Sequence, residues 1–423
     1  MKKVLVITYY WPPSGGTGVQ RWMHFSLYLK KLGWDIVIFT PINPEAPIID
    51  EKLKELVKDI RVEYSKIWEP FGLYKLLTRK DKKNQIQPGF IRQNKKKSIL
   101  ERFALWIRAN LFIPDAKSNW IKPAVVEILK LHQKERFTHV ISSGPPHTVH
   151  LIAQSVKNKT GIKWLADFRD PWTNIDWFSK LPMTNNTIKK HFELQKSVLD
   201  QADIVVAVTS EMAREFSEFS KREINVVTNG YAPNDFKDFK SIKTNKIIFF
   251  HHGSMNADRN PFKLWEYLGK KVNENESWKK QLEIQLIGSV DFSVLESIEL
   301  NNLNSNLILK PFLPHDKVIE ALSYATICIL PLNNTPNATG IMPNKLFEYL
   351  ATGKPILAVG PKNGDVAKSI SELKNSCIFD FDEEIDDLKI QQCIQIGIVN
   401  EDVQKYNREN LASEINQLLI SLN

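Results

Sequence analysis

The chain of 423 residues is 43% hydrophobic and 25% charged, proportions that exclude a disordered, fibrous or disulfide-dense protein. At roughly 150 residues per domain it is long enough for two or three hydrophobic cores, and two large ones are expected. Its formal charge of +9 is matched by a single window, residues 75–108, in which 11 Lys and Arg face only Asp81 and Glu101 (11 − 2 = +9).

The chain begins "MKKVLVITYYWPP", where the apolar run lasts four residues before Thr8, too short for the apolar region of a secretory signal. It reads as a buried strand. No apolar stretch of about 18 to 20 residues follows anywhere, so no spanning helix is expected. Cys328, Cys377 and Cys393 lack the spacing of a disulfide framework or a zinc site, which suits a reducing cytoplasm.

After the first strand, "VQRWMHFSLYLKKLG" repeats Val19, Trp22, Phe25, Leu29 and Leu32 at helical spacing, with Gly33 as a stop, and "DIVIFTP" is a second strand. This is a β-α-β unit. A helix at "EKLKELVKD" precedes the basic window, which could draw anionic lipid or simply be solvated lysine. Aromatic residues are not interleaved with its lysines, so nucleic acid is not the expected partner. Helices at "PAVVEILKLHQKERF", "HLIAQSVKNKTG" and "IKKHFELQKSVLDQ" then alternate with strands at "THVISSGPPH", "KWLADFRDPW", "ADIVVAVTS" and "INVVTNGY". Such alternation predicts a doubly wound parallel sheet over residues 1–231.

A polar, strand-poor seam at residues 232–245 precedes a second series of alternating elements. Strands are expected at "KIIFFHHGS", "LEIQLIGS", "NLILKPFLP", "TICILPL" and "PILAVG", with helices at "PFKLWEYLGKKVN", "DKVIEALSYA" and "NKLFEYLATG". This second parallel-sheet domain is assigned residues 232–400. Residues 401–423 form a closing helix, with Leu411, Ile415, Leu418 and Leu419 on one stripe, expected to pack back toward the first domain.

Ligands of open α/β sheets bind beyond the carboxyl ends of the strands, so the strand-to-helix loops are the places to search. "SGGTGVQR" ends in arginine where a dinucleotide fingerprint needs its third glycine, and it lacks the Gly-Lys-Ser/Thr ending of a P-loop. What remains is a glycine-rich turn at Gly15, Gly16 and Gly18 entering a helix N-terminus, which suits a phosphate or is merely a tight turn. In "ISSGPPHTVH", His147 is the better binding candidate and His150 the better core candidate. "LADFRDPW" places Asp167, Arg169 and Asp170 at a strand end, as an internal ion pair or as a carboxylate that orients an acceptor hydroxyl. In "HHGSMNADRNPFKL", Arg259 and Lys263 stand near a helix start, where two cations would neutralise a leaving diphosphate.

The most specific stretch is "GIMPNKLFEYLATGKPILA", with Lys345 and Glu348 on one short helix. Together with "YYWPPSGGTGVQRW", "SSGPPH" and "DFRDPW", it resembles the family 4 glycosyltransferases, whose motif runs Pro-x-Lys-x-x-Glu-Tyr-x-Ala-x-Gly-Lys-Pro. The resemblance covers essentially the whole chain. It implies an α/β protein of GT-B fold, two Rossmann-like domains facing each other across a cleft, the first binding an acceptor and the second a nucleoside diphosphate sugar. By that likeness Glu348 holds the ribose hydroxyls, while Arg259, Lys263 and Lys345 meet the diphosphate. The amides of Gly340, Ile341 and Met342 touch sugar and phosphate, Gly16 approaches the donor from the other domain, and Phe312 and Leu313 lie at the base.

The implied reaction is retaining transfer of a sugar to a hydroxyl of a glycan or lipid-linked acceptor, in cell-surface polysaccharide or glycolipid synthesis. Asp170 and His147 are the catalytic candidates. No metal and no cofactor beyond the sugar nucleotide is expected, Arg259 and Lys263 supplying the positive charge. An acceptor on a lipid carrier would place the protein at the inner membrane face through residues 75–112, where "SILERFALWIRANLFIP" has the composition of an interfacial helix. Two departures stand out: Gly340 replaces the first acid of the Glu-x7-Glu pair common among relatives, and no histidine stands where several relatives carry one. A sugar-nucleotide 2-epimerase and a non-catalytic nucleotide-sugar-binding module are the alternatives.

Overall fold

The computed structural model describes residues 2–42, 44–45, 48–67, 99–399 and 402–422. Its chain divides into two compact units, Met1–Thr228 with Arg408–Asn423, and Asn229–Asn407.

The first unit is built on seven parallel strands in the order β3-β2-β1-β4-β5-β6-β7. They are β1 (Lys3–Thr8), β2 (Asp35–Pro41), β3 (Arg61–Ser65), β4 (His139–Gly144), β5 (Lys163–Phe168), β6 (Ile204–Ala207) and β7 (Asn225–Val226). The central strands read as unbroken apolar runs because both faces are covered. Alternate residues serve opposite faces: Leu5, Ile7, Val37, Phe39 and Val140 enter one core, while Val4, Val6, Ile36, Ile38 and Ile141 enter the other.

The Thr17–Lys31 helix buries Val19, Trp22, Phe25 and Leu29 against the second of these cores. Leu32, expected on the same stripe, is exposed, because the helix stops at Lys31 and Gly33 turns the chain with a φ of 90°. Onto this face packs the Arg408–Ile420 helix, which buries Leu411, Ile415 and Leu419 and accepts, at Asn416 Oδ1, a 2.7 Å bond from Trp34 Nε1.

Six parallel strands make the sheet of the second unit, in the order β10-β9-β8-β11-β12-β13. They are β8 (Ile247–His252), β9 (Leu282–Ile287), β10 (Leu307–Lys310), β11 (Ile327–Pro331), β12 (Ile356–Val359) and β13 (Cys377–Phe379). Phe249, Ile284, Ile329 and Leu357 form the core on one face, and Ile248, Phe250, Cys328, Leu330 and Ile356 that on the other.

Chain order reverses between β1 and β4 in the first sheet and between β8 and β11 in the second. A crevice at the carboxyl edge of such a switch point is where open α/β sheets take ligands.

Of the basic window, residues 75–98 lie outside the described residues. The Ile99–Leu111 helix that follows exposes Ile99, Phe103, Trp106 and Leu111 and buries Ala104 and Ala109. Among the described residues no helix is long and apolar enough to cross a membrane.

Candidate functional site

In the first unit, the loops after β1, β4 and β5 carry the polar groups at the carboxyl edge. Asp167, near the end of β5, is fully buried and meets Arg21 in a two-pronged contact, with Nη2 2.8 Å from Oδ1 and Nε 3.1 Å from the same oxygen. Trp22 Nε1 and Ser143 Oγ complete its shell at 2.7 and 2.8 Å. Arg21 in turn donates to the carbonyls of Val227 and Thr228 at 2.9 and 2.6 Å. The arginine that follows the glycine turn thus faces a carboxylate inside its own unit.

Arg169 ties two loops together, with Nη1 2.5 Å from the Gly18 carbonyl and Nη2 2.6 Å from that of Pro145. A Cβ at Gly18 would lie 3.2 Å from that Nη1, a tight contact that the glycine avoids. Gly16 (φ 84°) precedes the helix without a side-chain cap. His147 is buried, stacked on Trp172 at 4.6 Å, and burial holds its imidazole well below the ordinary histidine range. Asp170 is exposed. The structure therefore places the two catalytic candidates differently, one within an aromatic stack and one in solvent.

In the second unit, β8 ends on His251 and His252, and β11 leads through Asn333 and the Ala338–Gly340 turn into the Asn344–Thr352 helix. That short helix presents Lys345 and Glu348 to the end of β8. Glu348 lies between two imidazoles: His252 Nε2 is 3.1 Å from Oε2 and His315 Nε2 is 3.4 Å from Oε1. Burial works to raise the Glu348 carboxyl, but the two histidines outweigh it and hold it well below the usual carboxylate range. Arg259 Nε donates to Asn333 Oδ1 at 2.5 Å, and its Nη1 lies 3.3 Å from the Ser254 carbonyl.

Several polar atoms at this edge are buried without a hydrogen-bond partner: His252 Nε2, Glu348 Oε2, Asn344 Oδ1 and Asn256 Oδ1. His252 Nε2 and Glu348 Oε2 face each other at 3.1 Å, so the two asparagine oxygens are the atoms with nothing opposite them. An unpaired buried polar atom costs about 1–3 kcal/mol, and the two asparagine oxygens could recover that from a polar group bound at this edge.

The remaining candidates spread around this edge. Gly340 and Ile341 spend their N–H groups on the Asn337 and Ala338 carbonyls at 3.1 and 3.2 Å, which leaves that of Met342 outside the bonds of the turn. Phe312 is exposed and Leu313 packs against the core, both between the end of β10 and the His315–Ser323 helix. Lys263 turns to Glu384 and Glu266, at 2.6 and 2.9 Å, and these carboxylates raise its ammonium above the ordinary lysine value. The structure thus gathers Arg259, Lys345 and Glu348 and engages Lys263 with acids.

His251, His252, His315 and Asn333 are polar groups of this edge that reading the sequence overlooks. Two adjacent histidines closing an apolar strand were the available signal for the first pair. Asp380-Phe381-Asp382 has the Asp-x-Asp spacing associated with metal-bridged diphosphates, and both carboxylates are exposed on the loop after β13. Among the described residues no group of three His, Cys, Asp or Glu is placed to hold a metal ion.

No protein-family model and no curated protein matches the chain. Solved structures do. Sucrose-phosphate synthase from Thermosynechococcus elongatus is similar over 100% of this chain and 99% of its own, with a TM-score of 0.62 and 13% identity. A variant of S. aureus TarM, in complex with fondaparinux, alpha-GlcNAc-glycerol and UDP, is similar over 100% and 99%, with a TM-score of 0.58 and 12% identity. A putative UDP-N-acetylglucosamine 2-epimerase from Listeria monocytogenes is similar over 100% and 96%, with a TM-score of 0.54 and 12% identity. At such identities the likeness concerns architecture, and the architecture is the GT-B fold: two α/β domains, each on its own parallel sheet.

Proposed function

We propose that the chain is a glycosyltransferase that moves a sugar, with retention and without a metal, from a nucleoside diphosphate sugar to a hydroxyl of a glycan or lipid-linked acceptor. The observation that carries this reading is the polar edge of the second unit, where Arg259, Lys345 and Glu348 meet at the β8–β11 switch point beside two buried asparagine oxygens, Asn256 Oδ1 and Asn344 Oδ1, that have no partner. A sugar nucleotide supplies what such an edge lacks. Its diphosphate is an acceptor for the cations and its ribose diol a donor pair for the carboxylate, and the cations would stabilise the charge that develops as the nucleotide departs. The likeness to TarM, a protein whose crystals hold UDP and a glycoside, points the same way.

Calorimetric titration of the full chain with UDP- and GDP-sugars tests the donor, with micromolar binding of one base series expected. Absence of binding by either series would sink the reading. Donor hydrolysed or epimerised in the absence of acceptor would favour the second reading, a 2-epimerase, which the Listeria structure recommends. Binding without turnover would favour a nucleotide-sugar-binding module.

The acceptor side is proposed to meet anionic lipid through the Ile99–Leu111 helix, whose exposed Phe103 and Trp106 stack at 6.4 Å beside exposed Arg102. Flotation with vesicles containing phosphatidylglycerol should carry the chain upward. Replacing Phe103 and Trp106 by serine should leave it in the lower fractions, and unchanged flotation would discard this helix as the anchor.

A further inference from the structure

The motif that carries Lys345 and Glu348 ends on a second lysine, Lys354, which is only 4% exposed. Its three ammonium hydrogens have three acceptors, none of them a carboxylate: Ser241 Oγ at 2.7 Å, the Ser323 carbonyl at 2.8 Å and the Ala325 carbonyl at 2.5 Å. The Ser323 carbonyl closes the His315–Ser323 helix, whose C-terminal dipole end suits a cation. Immediately before the lysine, Gly353 ends the Asn344–Thr352 helix at a φ of 66°, with the Val399 carbonyl 2.1 Å from where a Cβ would stand.

Three segments of the second unit meet here: residues 233–242, the His315–Ser323 helix, and the Asn344–Thr352 helix with the turn that follows it. They are tied twice. In one row, His315 Nδ1 lies 3.8 Å from Asp235 Oδ2 and its Nε2 lies 3.4 Å from Glu348 Oε1. In the other row Lys354 joins Ser241 to Ser323, and the Ile242 N–H adds a 3.0 Å bond to the same Ser323 carbonyl. Each row takes one residue from each segment, in the same chain order, and from His315 to Ser323 a helix rises about 12 Å.

The two rows are unequal. Lys354 is buried and its bonds are short, whereas the His315 side chain is 49% exposed and its contacts are long. Val318 and Leu322 share a core with Leu346 and Leu350, which holds the two helices together, but apolar burial is non-directional and does not set how far one slides along the other. The directional bonds of the lysine row do that, and the histidine row takes the spacing that results.

We propose that Lys354 is a positioning residue of the donor site: it seats the His315 imidazole against Glu348, and through it orients the carboxylate that takes the ribose diol. This rests on the donor-site reading above.

The test is a double-mutant cycle between Lys354→Met and His315→Ala, read by calorimetric titration of the full chain with UDP and GDP, with melting curves alongside. In the wild-type background Lys354→Met should weaken binding of the nucleotide by about three- to tenfold. In the His315→Ala background, where no imidazole remains to be seated, the same change should cost less than about twofold. A lysine that only stabilises the fold would lower the melting temperature in both backgrounds and leave the affinity of the folded chain unchanged, and that result overturns the inference. An equal loss of affinity in both backgrounds overturns it as well. If Lys354→Met does not fold, Ser241→Ala removes one acceptor of the same row from an exposed position: a loss of affinity that disappears with His315 is expected, and no loss, or one that persists, overturns the inference. If neither nucleotide binds the wild type, the donor-site reading falls and this inference with it.

Discussion

The two switch points share a topology and differ in how their polar atoms are spent. At the edge of the first sheet, Asp167 receives bonds from Arg21, Trp22 and Ser143, and Arg21 also donates to two carbonyls. Other atoms of that edge do lack partners, namely Trp11 Nε1 and Ser14 Oγ on the loop after β1, His147 Nδ1, His150 Nε2 and Arg169 Nε, so the difference between the edges lies in the carboxylate. At the edge of the second sheet the acid itself, the histidine facing it and two asparagine oxygens all have capacity left over. A carboxylate whose two oxygens are both filled fixes loops, whereas one with acceptor capacity left keeps it for something that arrives.

Breaking the closed network should give the largest effect. Asp167→Ala leaves Arg21 buried without its anion, and a loss of about 3–5 kcal/mol in urea unfolding of the first unit is expected. Nucleotide affinity of the folded fraction should stay as it was. A loss below about 1 kcal/mol would mean that the pair is not the keystone described.

Opening the other network further should do the reverse. Glu348→Ala removes an ionised acceptor worth about 1.5–3 kcal/mol in a charged hydrogen bond, so nucleoside diphosphate affinity should fall about 10- to 100-fold, with little change in melting temperature. A variant that melts early but still binds would reverse the contrast between the two edges.

The mildest effect concerns acid. Burial, with Arg169 second, lowers the His150 imidazole to about 3, and burial lowers that of His191 to about 4. Both are neutral when folded and take a proton below about 6.5 when unfolded. The unfolded chain then binds more protons, so stability is intact above that value and falls on acidification toward pH 4, by up to about 1.4 kcal/mol per pH unit for a fully buried ring. His150→Asn keeps a donor for Ser142 and should flatten the decline seen by circular dichroism; an unchanged slope would acquit His150.

Much of the architecture was legible because strands covered on both faces are written as unbroken apolar runs, such as Val4–Ile7 in β1 and Ile247–Phe250 at the start of β8. Two of the edge strands, β3 and β13, were not, although the other two, β7 and β10, fall within expected strands. β3 reads "RVEYS", half-exposed with no apolar run, and β13 has only three residues. Around the candidate site, Lys345 and Glu348 stand in one contiguous motif and could be named from it. The partners that give the site's cations their character are far away in the chain: the His251 imidazole that Lys345 Nζ meets at 3.1 Å lies 94 residues back, and the Glu384 that engages Lys263 lies 121 residues on. Pairings at such range depend on which strands become neighbours, and local periodicity carries no record of that.

The Arg408–Ile420 helix has a consequence for how the molecule comes into being. The first unit is a discontinuous domain into which the second is inserted, and the polypeptide enters and leaves that insertion side by side, with Tyr231 bonded to the Tyr406 carbonyl. While the inserted domain is being translated, the Val4 and Trp22 face of the first unit still lacks its cover, which is made only after the whole of that domain. Nascent chains halted before residue 408 should be the species that chaperones hold longest.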